Sequence, residues 1–356
     1  MGENTATYDI DFQHRLHPNA TNDLMWGANY RRIHNAAGNT ANMSYAPPSY
    51  GYRDYNAFVQ DDITLITDRL RLTLGAKEEA SYFGGKQFQP NARLLWTPDN
   101  MNSVWLAASK ASRTPDLNES TGTTSLTVIP PTIQTAGLPV QLLLSPNPDL
   151  AAEYVTAFEA GYRTQWSTRL SSDVAAYFNN YHNLIQWAYV GGVATPAFDP
   201  APVPHLTVPM IYSNATTTTQ TRGLEISANW RALDWMRLEG AFTYTRMNAP
   251  PWDGINYDFA SLTPRTQESL RCLMDLSEKT QLNVSLRHVG NLPATIQGVP
   301  AYTTADANVI YMQDNGLAFS LVGQNLFLAK HAEFIAPGYP SAQIPRSIFG
   351  KITWSF

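Results

Sequence analysis

Period two dominates this chain, and the order in which its links alternate in length narrows what it can fold into. Leu70, Leu72, Leu74 and Ala76 share one side of an extended segment, and Arg69, Arg71, Thr73 and Lys77 share the other. Leu224, Ile226, Ala228 and Trp230 oppose Glu225, Ser227, Asn229 and Arg231. Met236, Leu238, Phe242 and Tyr244 oppose Arg237, Glu239, Thr243 and Thr245, and Leu282, Val284 and Leu286 oppose Gln281, Asn283, Ser285 and Arg287. Each is a strand with one apolar and one hydrophilic side. No segment sustains a 3.6-residue period, so the chain reads as all-β.

The pattern predicts fifteen strands, at 5–15, 22–34, 54–65, 68–79, 89–97, 102–110, 152–163, 167–188, 208–231, 234–246, 264–275, 279–289, 302–312, 317–326 and 347–356. Short turns are expected at His17–Thr21, Thr67, Pro98–Asn100, Thr164–Trp166, Ala232–Leu233, Ser277–Glu278 and Asp314–Gly316. Long links are expected at 35–53, 80–88, 111–151, 189–207, 247–263, 290–301 and 327–346. Short and long alternate without a break. A β-sandwich imposes no such rule, whereas an antiparallel up-and-down β-barrel in an outer membrane does, with short turns on one side and long loops on the other.

Composition removes other classes. Charged residues are 15% of the 356, against roughly 25% in an average soluble domain. The longest apolar run, Val104 to Ala108, falls far short of the roughly 18 residues of a membrane-spanning helix. A net charge of −5 and the lack of a basic tract argue against a nucleic-acid partner. The single cysteine, Cys272, excludes a disulfide framework and cysteine-based metal sites. His14 and His17 point to opposite sides of a strand, which is poor metal geometry, and no nucleophile stands beside a base. The expectation is a protein that is not an enzyme and uses no cofactor or metal. Met1 to Asp9 has neither a basic nor an apolar leader segment, so no signal peptide is read there.

Trp96, Trp166, Trp230, Trp235 and Trp354 all fall within a few residues of the expected short-turn side, where an interfacial aromatic girdle would lie. Any one of them alone reads as an ordinary core tryptophan. The chain closes on a strand with Ile348, Gly350, Ile352, Trp354 and Phe356 on one side. Ile352, Trp354 and the terminal Phe356 resemble the signal by which outer-membrane barrels are recognised for insertion by the barrel-assembly machinery.

Several blocks, in order, carry a resemblance to one family. They are Phe58-Val-Gln-Asp-Asp-Ile63, Leu72-Thr-Leu-Gly-Ala-Lys77 and Gln89-Pro-Asn-Ala-Arg-Leu94. Ser112-Arg-Thr-Pro-Asp-Leu-Asn-Glu119 follows, then Asn147-Pro-Asp-Leu150 with Glu153 and Glu159-Ala-Gly-Tyr-Arg163. Thr221-Arg-Gly-Leu-Glu225, Asn325-Leu-Phe327 and the closing strand complete the set. Over nearly its whole length the chain resembles the C-terminal β-barrel portion of a TonB-dependent outer-membrane receptor. The resemblance implies about fifteen strands of a barrel of about 22 that surrounds a plug. Residues 1–356 would then be one barrel portion starting at the eighth strand, without a plug or the TonB-contacting segment, and its odd strand count leaves unpaired edges.

The resemblance further implies that the parent protein imports a ligand, foremost a ferric siderophore, with energy relayed by the TonB complex. A receptor for cobalamin or a sugar, and a plugless porin-like or adhesion barrel, remain alternatives, as does a soluble carbohydrate-binding module. In a barrel, Arg69, Arg71, Arg163, Glu225, Arg231, Arg237, Glu239 and Arg287 face the lumen and the apolar side meets outer-membrane lipid; the same alternation also fits the solvated face of a soluble sheet. Ligand candidates lie in the long links: Arg113, Asn118 and Glu119 in 111–151, where Pro130, Pro131 and Pro139 limit freedom, and His205 in 189–207. For the first three, fixing the base of the loop competes with ligand contact.

Overall fold

Alternation becomes geometry once the segments pair. In the computed structural model, which describes residues 3–200, 203–251, 259–292, 298–334 and 342–355, fifteen strands form one antiparallel wall in chain order. The first seven are β1 (Glu3–Leu16), β2 (Asn22–Ala37), β3 (Ser49–Ile66), β4 (Leu70–Ser81), β5 (Gly85–Trp96), β6 (Asn102–Arg113) and β7 (Glu153–Ser167). Then come β8 (Leu170–His182), β9 (Thr219–Leu233), β10 (Met236–Asn248) and β11 (Thr266–Ser277). β12 (Thr280–Val289), β13 (Tyr302–Met312), β14 (Leu317–Gln324) and β15 (Ser347–Trp354) complete it. β1 and β15 do not pair with each other. The wall is all-β and open, as expected.

Local chemistry makes the short turns. Asn19 Oδ1 accepts the backbone N–H groups of Thr21 and Asn22, each at 2.9 Å. Asp99 Oδ1 accepts those of Met101 and Asn102 at 2.8 and 2.9 Å. Such side chains mimic a backbone turn partner. Asp68 adopts a left-handed φ of 59° between β3 and β4, a conformation that aspartate tolerates better than most residues. Seven short turns separate wall strands on one rim; those expected at Thr164–Trp166 and Ala232–Leu233 fall a few residues later, at 168–169 and 234–235, because the strands before them run on to Ser167 and Leu233. Trp96, Trp166, Trp230, Trp235 and Trp354 sit on that rim and are all exposed.

The opposite rim departs from the sequence reading at two places. The link expected at 80–88 is only 82–84, because β4 and β5 run on as a tight hairpin whose return residue, Gly85, has φ of 69°. Pro90 is tolerated inside β5 because the pairing with β6 begins only at Asn91. The segments 167–188 and 208–231, read as single strands, are each split. Asn183, at φ 54°, ends β8, and the chain re-enters extended structure as Ile185–Tyr189 in a different sheet. Asn214 seals the joint by donating to the carbonyls of Ala151 and Asn183 at 2.9 and 2.8 Å.

That second sheet is a cap built from the long links. It orders Ile185–Tyr189, His205–Asn214, Val140–Ser145, Gly122–Ile129 and Met43–Tyr45, with Ala197–Asp199 also on His205–Asn214. His205–Asn214 runs parallel to Val140–Ser145. A helix, α1 (Leu117–Thr121), leads into it.

Register keeps each side chain on one face of the wall. Leu74, Ala92, Ala108, Phe158 and Phe178 are successive direct partners across β4 to β8. Nothing packs on this face: Ile10 is 68% exposed, Leu106 50%, Phe158 52% and Ile352 69%. Leaving side chains of this size in water forgoes about 1.5–3 kcal/mol each, a cost that vanishes in hydrocarbon. The packed core lies in the cap instead, where Leu144 is 0% exposed and clusters with Leu150, Met210 and Tyr212.

On the other face, three glycines sit directly opposite aromatic rings: Gly27 with Phe58, Gly161 with Trp105, and Gly223 with Tyr177. A Cβ at Gly161 would lie 2.3 Å from Trp105 Cε2. Gly161→Val therefore displaces the indole at a cost of about 1–3 kcal/mol. Lower thermal stability together with altered tryptophan emission is the expected result, and an unchanged melting profile would count against this packing.

Candidate functional site

The base of the cap is held by one arginine. Arg113 ends β6 and donates from Nη1 and Nη2 to the Glu119 carboxylate at 3.1 and 3.0 Å. Its Nε donates to Glu153 at the start of β7, at 2.5 Å. Glu119 is itself fixed by a capping box: its backbone N–H donates to Asp116 Oδ1 at 2.8 Å and its carboxylate accepts the Asp116 N–H at 2.9 Å. The other Glu153 oxygen accepts the backbone N–H of Ile185, at 2.5 Å. Two wall strands, α1 and a cap strand thus meet on a single guanidinium, whose planar fork suits two carboxylates.

Asn118 faces the cap interior. Its Nδ2 donates to Tyr212 Oη at 3.1 Å, and Asn147 Nδ2 donates to the Tyr212 carbonyl at 3.0 Å. Burial pushes the Tyr212 phenol up from its ordinary value. His205 opens its cap strand, with Nδ1 2.6 Å from the Val203 carbonyl and Nε2 3.8 Å from Asp199. The structure thus brings Arg113, Asn118 and Glu119 together and leaves His205 apart from them.

The polar face of the wall is concave. Ser103, Arg163, Asp173, Ser227, Ala241, Ser269, Arg287 and Thr304 are successive partners across β6 to β13. A hollow of about 1110 Å³ opens over this row, lined among others by Arg163, Glu239, Arg271 and Arg287. A second, of about 640 Å³, lies toward the short-turn rim and includes Arg231 and Arg237. Several charges there are paired: Arg163 with Asp173 at 2.7 Å, and Glu239 with Arg237 and Arg271 at 3.1 and 3.3 Å. Arg71 and Glu225 share this face by register. Arg69 lies in the turn 67–69, where its carbonyl accepts the Thr97 N–H at 2.7 Å.

The last long link reaches into the larger hollow. Lys330–Ala332 pairs with Gln343–Pro345. Glu333 then accepts from Arg287 at 2.5 Å and from the Tyr302 hydroxyl at 3.2 Å, with His331 Nε2 also 3.2 Å away. Burial pushes the Glu333 carboxyl up, but the bonds from His331, Arg287 and Tyr302 outweigh it and hold the group below its ordinary value.

An aromatic group escaped the sequence reading. Tyr50 and Tyr52 of β3 meet Tyr82 and Phe83 of the β4–β5 hairpin, with ring centroids 5.0 to 6.3 Å apart. A Cβ on the neighbouring Gly84 would lie 2.7 Å from Thr114, so the group abuts the chain just beyond Arg113. Its only sequence sign is a pair of tyrosines two apart and a Tyr-Phe before two glycines.

Comparison with known proteins adds the rest. The family described as TonB dependent receptor-like, beta-barrel matches residues 2–326. The siderophore receptor PirA from Acinetobacter baumannii superposes with a TM-score of 0.77 at 15% identity, over 99% of this chain and 55% of that one. The ferric enterobactin receptor PfeA from Pseudomonas aeruginosa gives 0.75 at 16%, over 99% and 54%. The copper transporter OprC gives 0.67 at 12%, over 99% and 59%. No curated protein sequence matches. The chain spans a little over half the length of these structures.

Two outcomes follow from the site's geometry. Arg113→Ala leaves two carboxylates facing each other and weakens attachment of the cap by about 1–2 kcal/mol, discounted for exposure; limited proteolysis should then cut within 114–152 while the wall stays intact. Because the Glu333 carboxyl is depressed, its contribution is full above the ordinary carboxylate range and is lost as pH falls through the depressed value. Hydrogen-exchange protection at Lys330–Ala332, taken relative to the intrinsic rate at each pH, should fall on acidification, and Glu333→Gln should abolish that dependence.

Proposed function

Because this chain belongs to the TonB-dependent receptor β-barrel family, we propose that it forms the cap-bearing wall of an outer-membrane receptor that imports a ferric siderophore. The family is one of outer-membrane receptors and transporters, not enzymes. The observation that carries the reading is the two-faced wall. One continuous face is apolar and uncovered, the other is polar, concave and carries charges of both signs, several of them paired, and a folded cap stands over the long-link rim.

Each part has a role. The apolar face meets lipid. The polar face, with Arg71, Arg163, Glu225, Arg231, Arg237, Glu239 and Arg287, lines the route across the membrane, and Arg69 marks its short-turn end. Arg113 and Glu119 position the cap, Asn118 steadies its interior, and His205 opens a cap strand that is paired on both sides. Tyr50, Tyr52, Tyr82 and Phe83 offer stacking surfaces for a chelated-iron ligand at the entrance. In hydrocarbon the free edges of β1 and β15 need partners, so closure requires further strands of the whole receptor. Energy would enter through the TonB complex, as membership of this family implies. Ile352 and Trp354 of the closing strand would present the insertion signal to the barrel-assembly machinery; Phe356 lies outside the described residues.

Growth under iron limitation tests the ligand class. Loss of the whole gene should abolish growth on at least one ferric chelate while growth on free iron is unaffected. A strain that grows on every ferric chelate but fails on cobalamin or an oligosaccharide would sink the siderophore reading and leave the receptor fold standing.

A further inference from the structure

Charge is unevenly divided where the concave face meets the cap. Asp54 follows Tyr50 and Tyr52 on the same side of β3, and its Oδ1 accepts the backbone N–H of Tyr82 at 3.1 Å. The Tyr50 and Tyr82 hydroxyls lie 3.2 Å apart. Tyr82 remains 56% exposed, so the aromatic group that these residues form with Phe83 keeps ring surface open to a ligand.

Carboxylates outnumber cations around this group. Arg31 is the direct partner of both Asp9 and Asp54, and its Nε bonds Asp9 at 2.6 Å. Asp116, the N-cap of α1, adds a carboxylate from the cap side, and the charges of Asp54 and Asp116 both act on the Tyr52 hydroxyl. Arg113 is taken up by Glu119 and Glu153, and Lys77 by Glu79 at 2.6 Å. Asp54 and Asp116 are left without a cation of their own. The remaining cations of this part of the rim, Arg32, Arg53, Lys86 and Lys110, fall by register on the apolar side of the same strands.

We propose that the aromatic group, with Asp54 and Asp116, receives a positively charged arm of the imported chelate, and that the ligand is a ferric hydroxamate complex bearing a free ammonium. An aromatic ring attracts a cation over its face, and carboxylates in excess draw the same charge from further away. An anionic chelate looks instead for guanidinium or ammonium donors, and those present here are engaged or turned outward. Hydroxamates balance the ferric charge, so a free ammonium leaves the whole complex positive, whereas catecholates leave it strongly negative. The inference rests on the siderophore reading and adds to it the charge class of the ligand.

The test measures how tightly the full chain in detergent micelles retains radiolabelled iron as ferrioxamine B, as its neutral N-acetylated form and as anionic ferric enterobactin. Ferrioxamine B should bind best, and acetylation of its ammonium should weaken binding about threefold to tenfold. Raising the salt concentration should shrink that preference. Asp54→Asn keeps an acceptor for the Tyr82 N–H and should erase most of the difference between the two hydroxamates. Tyr82→Leu should weaken ferrioxamine B by a similar factor while the melting profile of the wall holds. Equal binding of the two hydroxamates, tighter binding of ferric enterobactin, retention of none of the three, or an Asp54→Asn chain that keeps the preference overturns the inference. The siderophore reading fails separately, in the growth assay, when growth on no ferric chelate depends on the gene.

Discussion

Hydrocarbon offers no partner to a backbone N–H or C=O, so each such group on a spanning strand must be answered by the strand beside it. Much of the wall follows from that requirement. It makes the strands long, keeps them in chain order with antiparallel neighbours, and forbids a proline wherever both sides of a strand are paired. Pro90 sits where one side is not. The same requirement leaves side chains free to divide by face, because the ladder and not a packed interior holds the strands together. Gly27, Gly161 and Gly223 then do for the inner face what close packing does for a globular core, each making room for an opposing ring.

The cap obeys different rules. Its strands cover a buried cluster around Leu144 and Met210, and its polar groups are tied by side-chain bonds of the kind seen in water-soluble domains. Arg113 joins the two regimes, since it ends a wall strand while its partners belong to α1 and to the strand that leaves the cap. With half its side chain exposed, no single bond there is strong. The geometry gains its firmness from two carboxylates that are each also held by backbone N–H groups.

Much of this was legible in the residues alone. Period two names the wall strands, and side chains such as Asn19 and Asp99 name the short turns, because both signals are local. The cap was not legible, for the opposite reason. From Ile185 to Tyr189 the alternation continues as though β8 had not ended, and the break at Asn183 is fixed by Asn214, thirty-one residues away. The hairpin at 82–84 was hidden because two glycines and two aromatics look like a loop until their strands pair. At the site, Arg113 and Glu119 could be singled out by spacing, but their shared partner Glu153 lies forty residues beyond Arg113. The aromatic group joins two hairpin segments that only pairing brings together.

The charges on the concave face cannot be explained as stabilisers. Exposed pairs such as Arg163 with Asp173 and Arg271 with Glu239 each contribute about 0–1 kcal/mol, small beside the ladder that carries them. Their arrangement matters more than their strength. Arg163 is answered by Asp173, Glu239 stands between Arg237 and Arg271, and Arg287 is answered by Glu333 from the last link. A surface of interleaved signs holds water, whereas a run of one sign would bind a charged solute or repel it. A lining that neither grips nor excludes is what a passage needs. The opposite surface of the same strands is dominated by exposed side chains such as Ile10, Leu106, Phe158 and Ile352, so a single sheet separates a charged lining from an apolar boundary.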